Sequence, residues 1–523
     1  MASVKNPRPA NIAAGAVTLC GFLLFFLLML SLGLRRGMIH DESQHLAAGA
    51  LFGRHLLLPY RDFPYFHMPD LVFVYGAIFH FYGSMLFAAR LLNVEAGWLT
   101  CVLIWYIVWR ECRGISSLCR WLLPAAAALL LVSNPIFRET YWRAWNHATA
   151  TLFALGSFAL AMRPSASGSP NGSRWFWSGL LLGLAIGTRL TFAPFFAPLA
   201  VACLFPVGPR IRSLLLFCAG NALALLPSLI LFLVAPLQFY FGNFTFNSTV
   251  NILFRQFYHD SRISFHAKLL FLGALLRADI ATFLLLLACV LFVVAAFIRF
   301  SKMPADLRYR LLLLLGLIPF GLFGALAASP SQPEYYYALI PILVLATALA
   351  AAFLCSGHFG WLSPLLLLIP AIYCTSRSWN EYQRIAILRD SSTWPPLLMH
   401  EAGAEAAMWI GKGQVMTLDP VFPLEGGLDI YPSLVTGIIE WRTEPFIAAA
   451  DRDRLKILGP DNFVSTLDRS PPAALLTIDT TGFDAPLVAW AKSHRYAPRS
   501  LEPRGKLVDQ PTIWTPSPYP QQH

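Results

Sequence analysis

From residue 11 to about residue 373 the sequence is a succession of apolar runs, many close to the ~20 residues a helix needs to cross a bilayer. With 57% hydrophobic residues, 13% charged residues and a mean hydropathy of +0.57, the chain lies far from soluble averages. It reads as an α-helical polytopic membrane protein. The first run, 11–34, is too long for a signal-peptide core and lacks a clean small-residue cleavage site, so it reads as a retained helix.

The formal net charge of +11 is unevenly placed. Before Arg377 there are 25 Lys/Arg against 11 Asp/Glu, and from Arg377 onward 14 against 17. The basic excess lies in short loops on one side of the alternating runs. That is the positive-inside pattern, and it speaks for a membrane-lipid environment with no nucleic-acid partner. Lys5 and Arg8 put the N-terminus inside, and the first helix exits into a long external loop, 35–86. Its parts 41–57 and 69–82 read as a helix and a short apolar segment on the membrane surface. Later basic turns fall at Arg110, Arg113 and Arg120, at the linker 163–174, at Arg210 and Arg212, and at Arg299, Lys302, Arg308 and Arg310. External loops fall at 137–147, 236–267 and 329–337. About 11 spans result.

Residues 1–375 thus form the membrane domain. Residues 376–523 change character and read as a small α/β domain on the external face, long enough for one independent unit. Helical patterning covers 399–410 and 484–493; β-rich runs cover 414–418, 474–478 and 512–514, with Gly and Pro marking turns. All nine cysteines precede residue 376 and show no zinc or redox spacing, so they read as inert.

The densest polar cluster follows the first helix. Asp41-Glu42 sits just outside the bilayer, where a carboxylate can take the proton of an acceptor hydroxyl attacking a sugar. Asp41 could equally cap the helix starting at Glu42. Tyr60, Arg61, Asp62, His67 and Asp70 suit a sugar site, or a surface loop with paired charges and belt aromatics. Five of the twelve histidines fall in 40–80, but no pair has the spacing and companions of a zinc site. Glu139, Arg143, Asn146 and His147 in the second external loop face the same side. Arg189 stands alone at the outward tip of a hairpin and suits a lipid phosphate, or snorkels to headgroups. Gly179, Gly183 and Gly187 just before it have the spacing for close helix packing. Gln332 to Tyr337, with Tyr336 in its middle, is a further external patch that can line a lipid groove or sit in the aromatic belt. Asn243-Phe-Thr and Asn247-Ser-Thr are glycosylation sequons on an external loop. No nucleotide-binding loop is visible.

In order along the chain, these residues resemble the GT-C class of membrane glycosyltransferases. The nearest likeness is to bacterial members of the protein O-mannosyltransferase and lipid A aminoarabinose transferase group (families 39 and 83). Asp41-Glu42 is similar to that group's Asp-Glu motif. Pro59-Tyr60-Arg61-Asp62-Phe63 with His67 and Pro69 looks like its PYxDF continuation. Gly183-Leu-Ala-Ile-Gly-Thr-Arg189 looks like its GLA-x-x-x-K hairpin, and Glu334-Tyr-Tyr-Tyr-Ala-Leu-Ile-Pro341 like its late R-Y-x-L-x-x-x-P segment. The likeness spans about 11–375. Asp70 stands where the group has a second Pro, Arg189 where it has Lys, and Asn146 near where relatives carry a second acid.

The resemblance implies a GT-C fold and inverting sugar transfer from a polyprenyl-phosphate sugar donor to a glycan, lipid or protein acceptor, on the periplasmic side of a bacterial inner membrane. Asp41 would be the leading carboxylate with Glu42 beside it, and Arg189 would hold the donor phosphate. No cofactor is certain; a divalent metal, Mg2+ or Mn2+, serves some relatives. A transporter or flippase would instead place charges at helix centres and show inverted repeats, for which Glu95 alone is thin support. A non-catalytic scaffold would make Asp41 dispensable.

Overall fold

The structure, a computed structural model, describes residues 9–163, 172–205, 210–260, 262–356, 360, 362–478, 482–501 and 511–517. Lys5, Arg8 and most of the 163–174 linker lie outside these residues.

The expected apolar runs fold as helices, but not all as straight ones. Gly15–Arg35, Met85–Glu111, Ile280–Ile298 and Ala305–Ala327 are each long and apolar enough to cross a membrane. Two further spans are broken: Leu118–Ser133 turns by 72° into Pro135–Tyr141, and Arg210–Ala224 by 54° into Leu226–Val234. Each break has a proline in the first turn that follows, Pro135 and Pro227. A proline there cannot donate back to the preceding helix, so the axis changes direction. His147–Ala161 and Leu339–Leu354 are apolar but shorter. The hairpin expected at Arg189 continues as a 3-10 turn, Leu190–Phe195, before Phe196–Ala202. The expected eleven spans are therefore not eleven uninterrupted helices among the described residues.

The first external loop folds into two packed helices, His40–His55 and Asp70–Phe81. Glycines let them touch: a Cβ on Gly49 would meet the Cβ of Tyr75 at 2.6 Å. Leu56, in the left-handed region at φ 55°, stops the first of them. The connecting turn is held by Asp62, whose carboxylate accepts from the Leu58 amide at 2.7 Å.

The C-terminal part forms one five-stranded sheet. Its strands are β1 (Gln414–Thr417), β2 (Asp429–Ile430), β3 (Ala474–Thr477), β4 (Tyr496–Ser500) and β5 (Thr512–Pro516). The order is β2-β1-β3-β5-β4. β1 runs parallel to β2 and β3, with Val415 beside Ile430 and Ala474; β5 is antiparallel to β3 and β4. The sequence anticipates β1, β3 and β5. It misses β2, which is two residues long, and β4, which carries Pro498 and is largely exposed, so neither shows an alternating apolar signal.

This domain is seated on the membrane half by a shared core. Leu46, Tyr60, Phe63 and Tyr75 pack in one cluster with Met399, Phe422 and Leu424. Polar bonds fix the seat. Glu425, fully buried, accepts from the amides of Met85 at 3.2 Å and Leu86 at 2.7 Å. It thereby satisfies the free N–H groups that open the helix Met85–Glu111. His400 Nδ1 sits 2.9 Å from the same carboxylate, and Arg54 donates to the Leu424 carbonyl at 2.6 Å.

Glu425→Ala should cost about 1–3 kcal/mol by leaving buried donors unpaired, read as a lower unfolding midpoint in detergent and faster proteolytic release of the C-terminal part. Glu425 also holds the His400 imidazole above its ordinary 6.5. That contribution is fully present below pH 6.5 and fades as pH rises through the raised value. His400 is 38% exposed, so the effect should stay under about 1 kcal/mol; unchanged stability of Glu425→Ala would refute the seat.

Candidate active site

The site is built around the start of the helix His40–His55. Asp41 and Glu42 are neighbours, but the helix points them into different surroundings. Glu42 is fully buried. It pairs with Arg90, whose Nε and Nη2 donate to its two oxygens at 2.9 and 2.7 Å. The Ala144 amide donates to it at 2.7 Å and the Ile39 amide at 3.2 Å. Arg90 spends its remaining donors on the carbonyls of Gly33 at 2.8 Å, Arg36 at 2.6 Å and Gly37 at 2.9 Å. Glu42 thus has no oxygen left for substrate. Asp41 is different: its side chain is 47% exposed, with His40 Nε2 at 3.5 Å.

Arg189 ends the helix Gly172–Thr188 and turns inward. Its Nη1 donates to Asn146 Oδ1 at 2.6 Å, and Asn146 in turn donates to the Thr188 carbonyl at 3.2 Å. The guanidinium lies 5.7 Å from the Tyr335 ring and 5.4 Å from the Tyr337 ring. Its Nε is buried and has no hydrogen-bond partner among the described residues. Tyr335 and Tyr337 therefore occupy the place expected of Tyr336, which is buried between them in sequence. Burial and the charge of Arg189 hold His67 down to about 3, so it is a neutral ring. It lies 4.8 Å from His45, which shares a 2.8 Å bond with Tyr65.

The other expected residues are distributed unevenly. Tyr60 is buried; its hydroxyl donates to the His67 carbonyl and accepts from Asn243 at 3.1 Å. Asn243 is buried as well, which removes the first sequon from the surface. Arg61 and Asp62 pair with each other at 2.7 Å on an exposed turn away from this cluster of rings. Glu139 pairs with Arg143 at 2.8 Å and lines, with Asp279 and Glu334, a pocket of about 430 Å3.

Asp70 belongs to the cluster expected from the sequence; Glu334, Arg255 and Arg442 were not anticipated for this site. Burial and the nearby Asp41 push Glu334 up, against Arg143 and Arg189. Asp70 is pushed up to about 7 by burial; both its oxygens lack partners among the described residues, and it lies directly over Gly187. Arg255 and Arg442 lie 5.6 and 5.0 Å from the Phe254 ring, and both bear on His40 beside Asp41. The sequence signals for Glu334 were its place in the polar Gln332–Tyr337 patch and in the Glu334–Pro341 motif; Arg442, in the other domain, gave none. Among the described residues no three His, Cys, Asp or Glu converge to hold a metal ion.

A model of glycosyltransferase family 87 matches residues 71–330. The fold is similar to that of ArnT from Cupriavidus metallidurans bound to undecaprenyl phosphate, at TM-score 0.62 and 13% identity, covering 96% of this chain and 98% of that one. The apo state of the same protein gives 0.54 at 14% identity, with the same coverage. The apo oligosaccharyltransferase of Archaeoglobus fulgidus gives 0.49 at 11% identity, over 95% of this chain and 74% of that one. No curated protein matches. The family match spans just under half of the chain, and over nearly its whole length the fold is similar to that of a membrane protein that binds undecaprenyl phosphate. Its long apolar helices make it a multi-pass membrane protein.

Arg90→Met would strand the Glu42 carboxylate in the interior. It should cost about 3–5 kcal/mol, seen as a lower midpoint of thermal unfolding in detergent. Arg90→Lys should recover only part, because an ammonium cannot span the same fork of acceptors. A wild-type midpoint for Arg90→Met would show that the pair does not organise the site.

Proposed function

We propose that the chain moves a sugar from a polyprenyl-phosphate donor to a hydroxyl of an envelope acceptor, with inversion, at the periplasmic face of a bacterial inner membrane. One observation carries the reading: the inward-turned Arg189, anchored by Asn146, flanked by two tyrosines and with Nε unused, in the same field as Asp41 and Glu334. A buried guanidinium with a spare donor suits an anion, and a planar fork suits a phosphate. Arg143, Arg255 and Arg442 add positive charge around Glu334 and His40.

In this reading the donor's phosphate lies against Arg189 and its prenyl chain stays in lipid. The acceptor oxygen attacks the anomeric carbon from the face opposite the phosphate. The bond from that carbon to the phosphate oxygen breaks, and its electron pair leaves with the polyprenyl phosphate. The hydroxyl proton passes to Asp41, which is exposed enough to meet an acceptor. The cations stabilise the charge that builds on the leaving phosphate. Burial and the neighbouring Asp41 push Glu334 above the usual carboxylate range, which eases its repulsion of Asp41. Glu42 positions Asp41 through the Arg90 pair, and Arg61 and Asp62 shape the turn. Tyr60 and His67 line the wall behind.

Donor turnover by purified protein, with a panel of radiolabelled polyprenyl-phosphate sugars and a membrane extract as acceptor, tests this. Asp41→Asn should lower kcat by about 100-fold or more with unchanged size-exclusion elution. Arg189→Ala should act mainly on the donor KM, with Arg189→Lys intermediate. Equal turnover by wild type and Asp41→Asn would remove Asp41 as the base. Absence of donor turnover by wild type across the panel would favour the transporter or scaffold readings.

A further inference from the structure

Arg255 and Arg442 bear on His40, and His40 also lines a cavity of about 380 Å3 between the start of the helix His40–His55 and the C-terminal sheet. Its size falls at the lower end of the ~300–1,000 Å3 that small-molecule sites span. His40 and Ser43 line it from the membrane half, Thr417 and Asp419 from the end of β1, and Phe483 and Asp484 from the segment that follows β3.

The sheet explains why a cavity lies there. β1 and β3 are adjacent and parallel, so their carboxyl ends point the same way. The chain leaving β1 goes to β2 on one side, and the chain leaving β3 goes to β4 on the other. Loops that depart in opposite directions open a crevice at the strand ends, which is where open α/β sheets bind ligands. Here the crevice is closed by the turn that carries Asp41.

A second feature points to a ligand. Ser43 is 3% exposed and lines this cavity, yet its Oγ has no hydrogen-bond partner among the described residues. A buried hydroxyl left unpaired is costly unless something else meets it. The chemistry of the walls then selects the ligand class. The described lining residues include two carboxylates and an imidazole and no Lys or Arg. Phe483, 38% exposed, offers an apolar face beside them. Such walls accept hydrogen bonds from hydroxyl or ammonium groups and repel phosphate and carboxylate.

We propose that this cavity is the acceptor subsite, and that it takes the neutral or amino-sugar end of a glycan rather than a phosphorylated headgroup. The inference rests on the transferase reading above and supplies the acceptor class. The donor's phosphate is met by Arg189, and the acceptor's hydroxyls by the carboxylates of this cavity. Asp41 lies between them, bonded in sequence to the residue that lines the cavity.

Saturation-transfer NMR on the full chain in detergent tests it, with maltose, chitobiose, glucosamine and glucose 1-phosphate as probes. Two variants address the cavity: Phe483→Ala removes the apolar face, and Ile478→Trp, at a 42% exposed position on its wall, fills it. At least one neutral or amino sugar should give a signal in wild type that falls several-fold in both variants. Glucose 1-phosphate should give none. No signal from any of the three phosphate-free sugars, a signal that survives both variants, or a stronger signal from glucose 1-phosphate would each overturn the proposal. The sugar signal should also persist in Asp41→Asn. Sugar binding in the cavity together with full transfer by Asp41→Asn would sink the base assignment and leave the subsite standing; Asp41-dependent transfer without sugar binding would do the reverse.

Discussion

The surroundings of Asp41 depend on one buried ion pair. Arg90 has five N–H donors, and each is used: two on Glu42 and three on the carbonyls that end the first helix. Glu42 ties the same point to the second external loop through the Ala144 amide. Four separate stretches of chain are thus fixed to one another at a single charge pair. A pair so deep is expensive to desolvate, and replacing it with apolar residues could stabilise the fold. What an apolar core could not supply is direction. The pair sets the rotation of the helix His40–His55, and so decides that Asp41 faces out while Glu42 faces in.

Around that fixed helix the site divides by charge. Two imidazoles and a tyrosine make a wall at His45, Tyr65 and His67; burial keeps all three uncharged, and the charge of Arg189 adds to this for the two imidazoles. Arginines from three different loops and from the C-terminal domain gather toward Glu334 and His40. The C-terminal domain is therefore part of the site's surroundings, not a separate appendage, since Arg442 reaches Phe254 and the cavity walls come from both halves.

Much of this was legible in the sequence because it rests on local pattern. Apolar runs, basic turns and the Asp-Glu pair are short-range signals, and they located the membrane helices, the first loop and three of the five strands. The span count was less legible, since Pro135 and Pro227 bend runs that hydropathy reads as continuous. Site partners were legible only where they lie near one another in the chain. Asn146 and Arg189 were singled out separately, and their 2.6 Å contact came from the fold. Glu334 went unassigned because nothing local distinguishes a carboxylate facing Asp41 from one in an aromatic belt. Glu42 shows the opposite limit: adjacency to Asp41 suggested shared chemistry, whereas 100° of helical rotation separates their environments.

The cap that Glu425 places on the helix Met85–Glu111 has a consequence in time. The capped amides and the capping carboxylate are 340 residues apart. At ~5–20 residues per second, ribosomes need tens of seconds to make that stretch. For that interval the helix already resides in the bilayer while its opening amides have only interfacial water to bond. The end of the membrane domain that bears Asp41 is thus completed late, by chain made long after that helix, and a translation product stopped before residue 425 would hold its helices without the seam that closes the site.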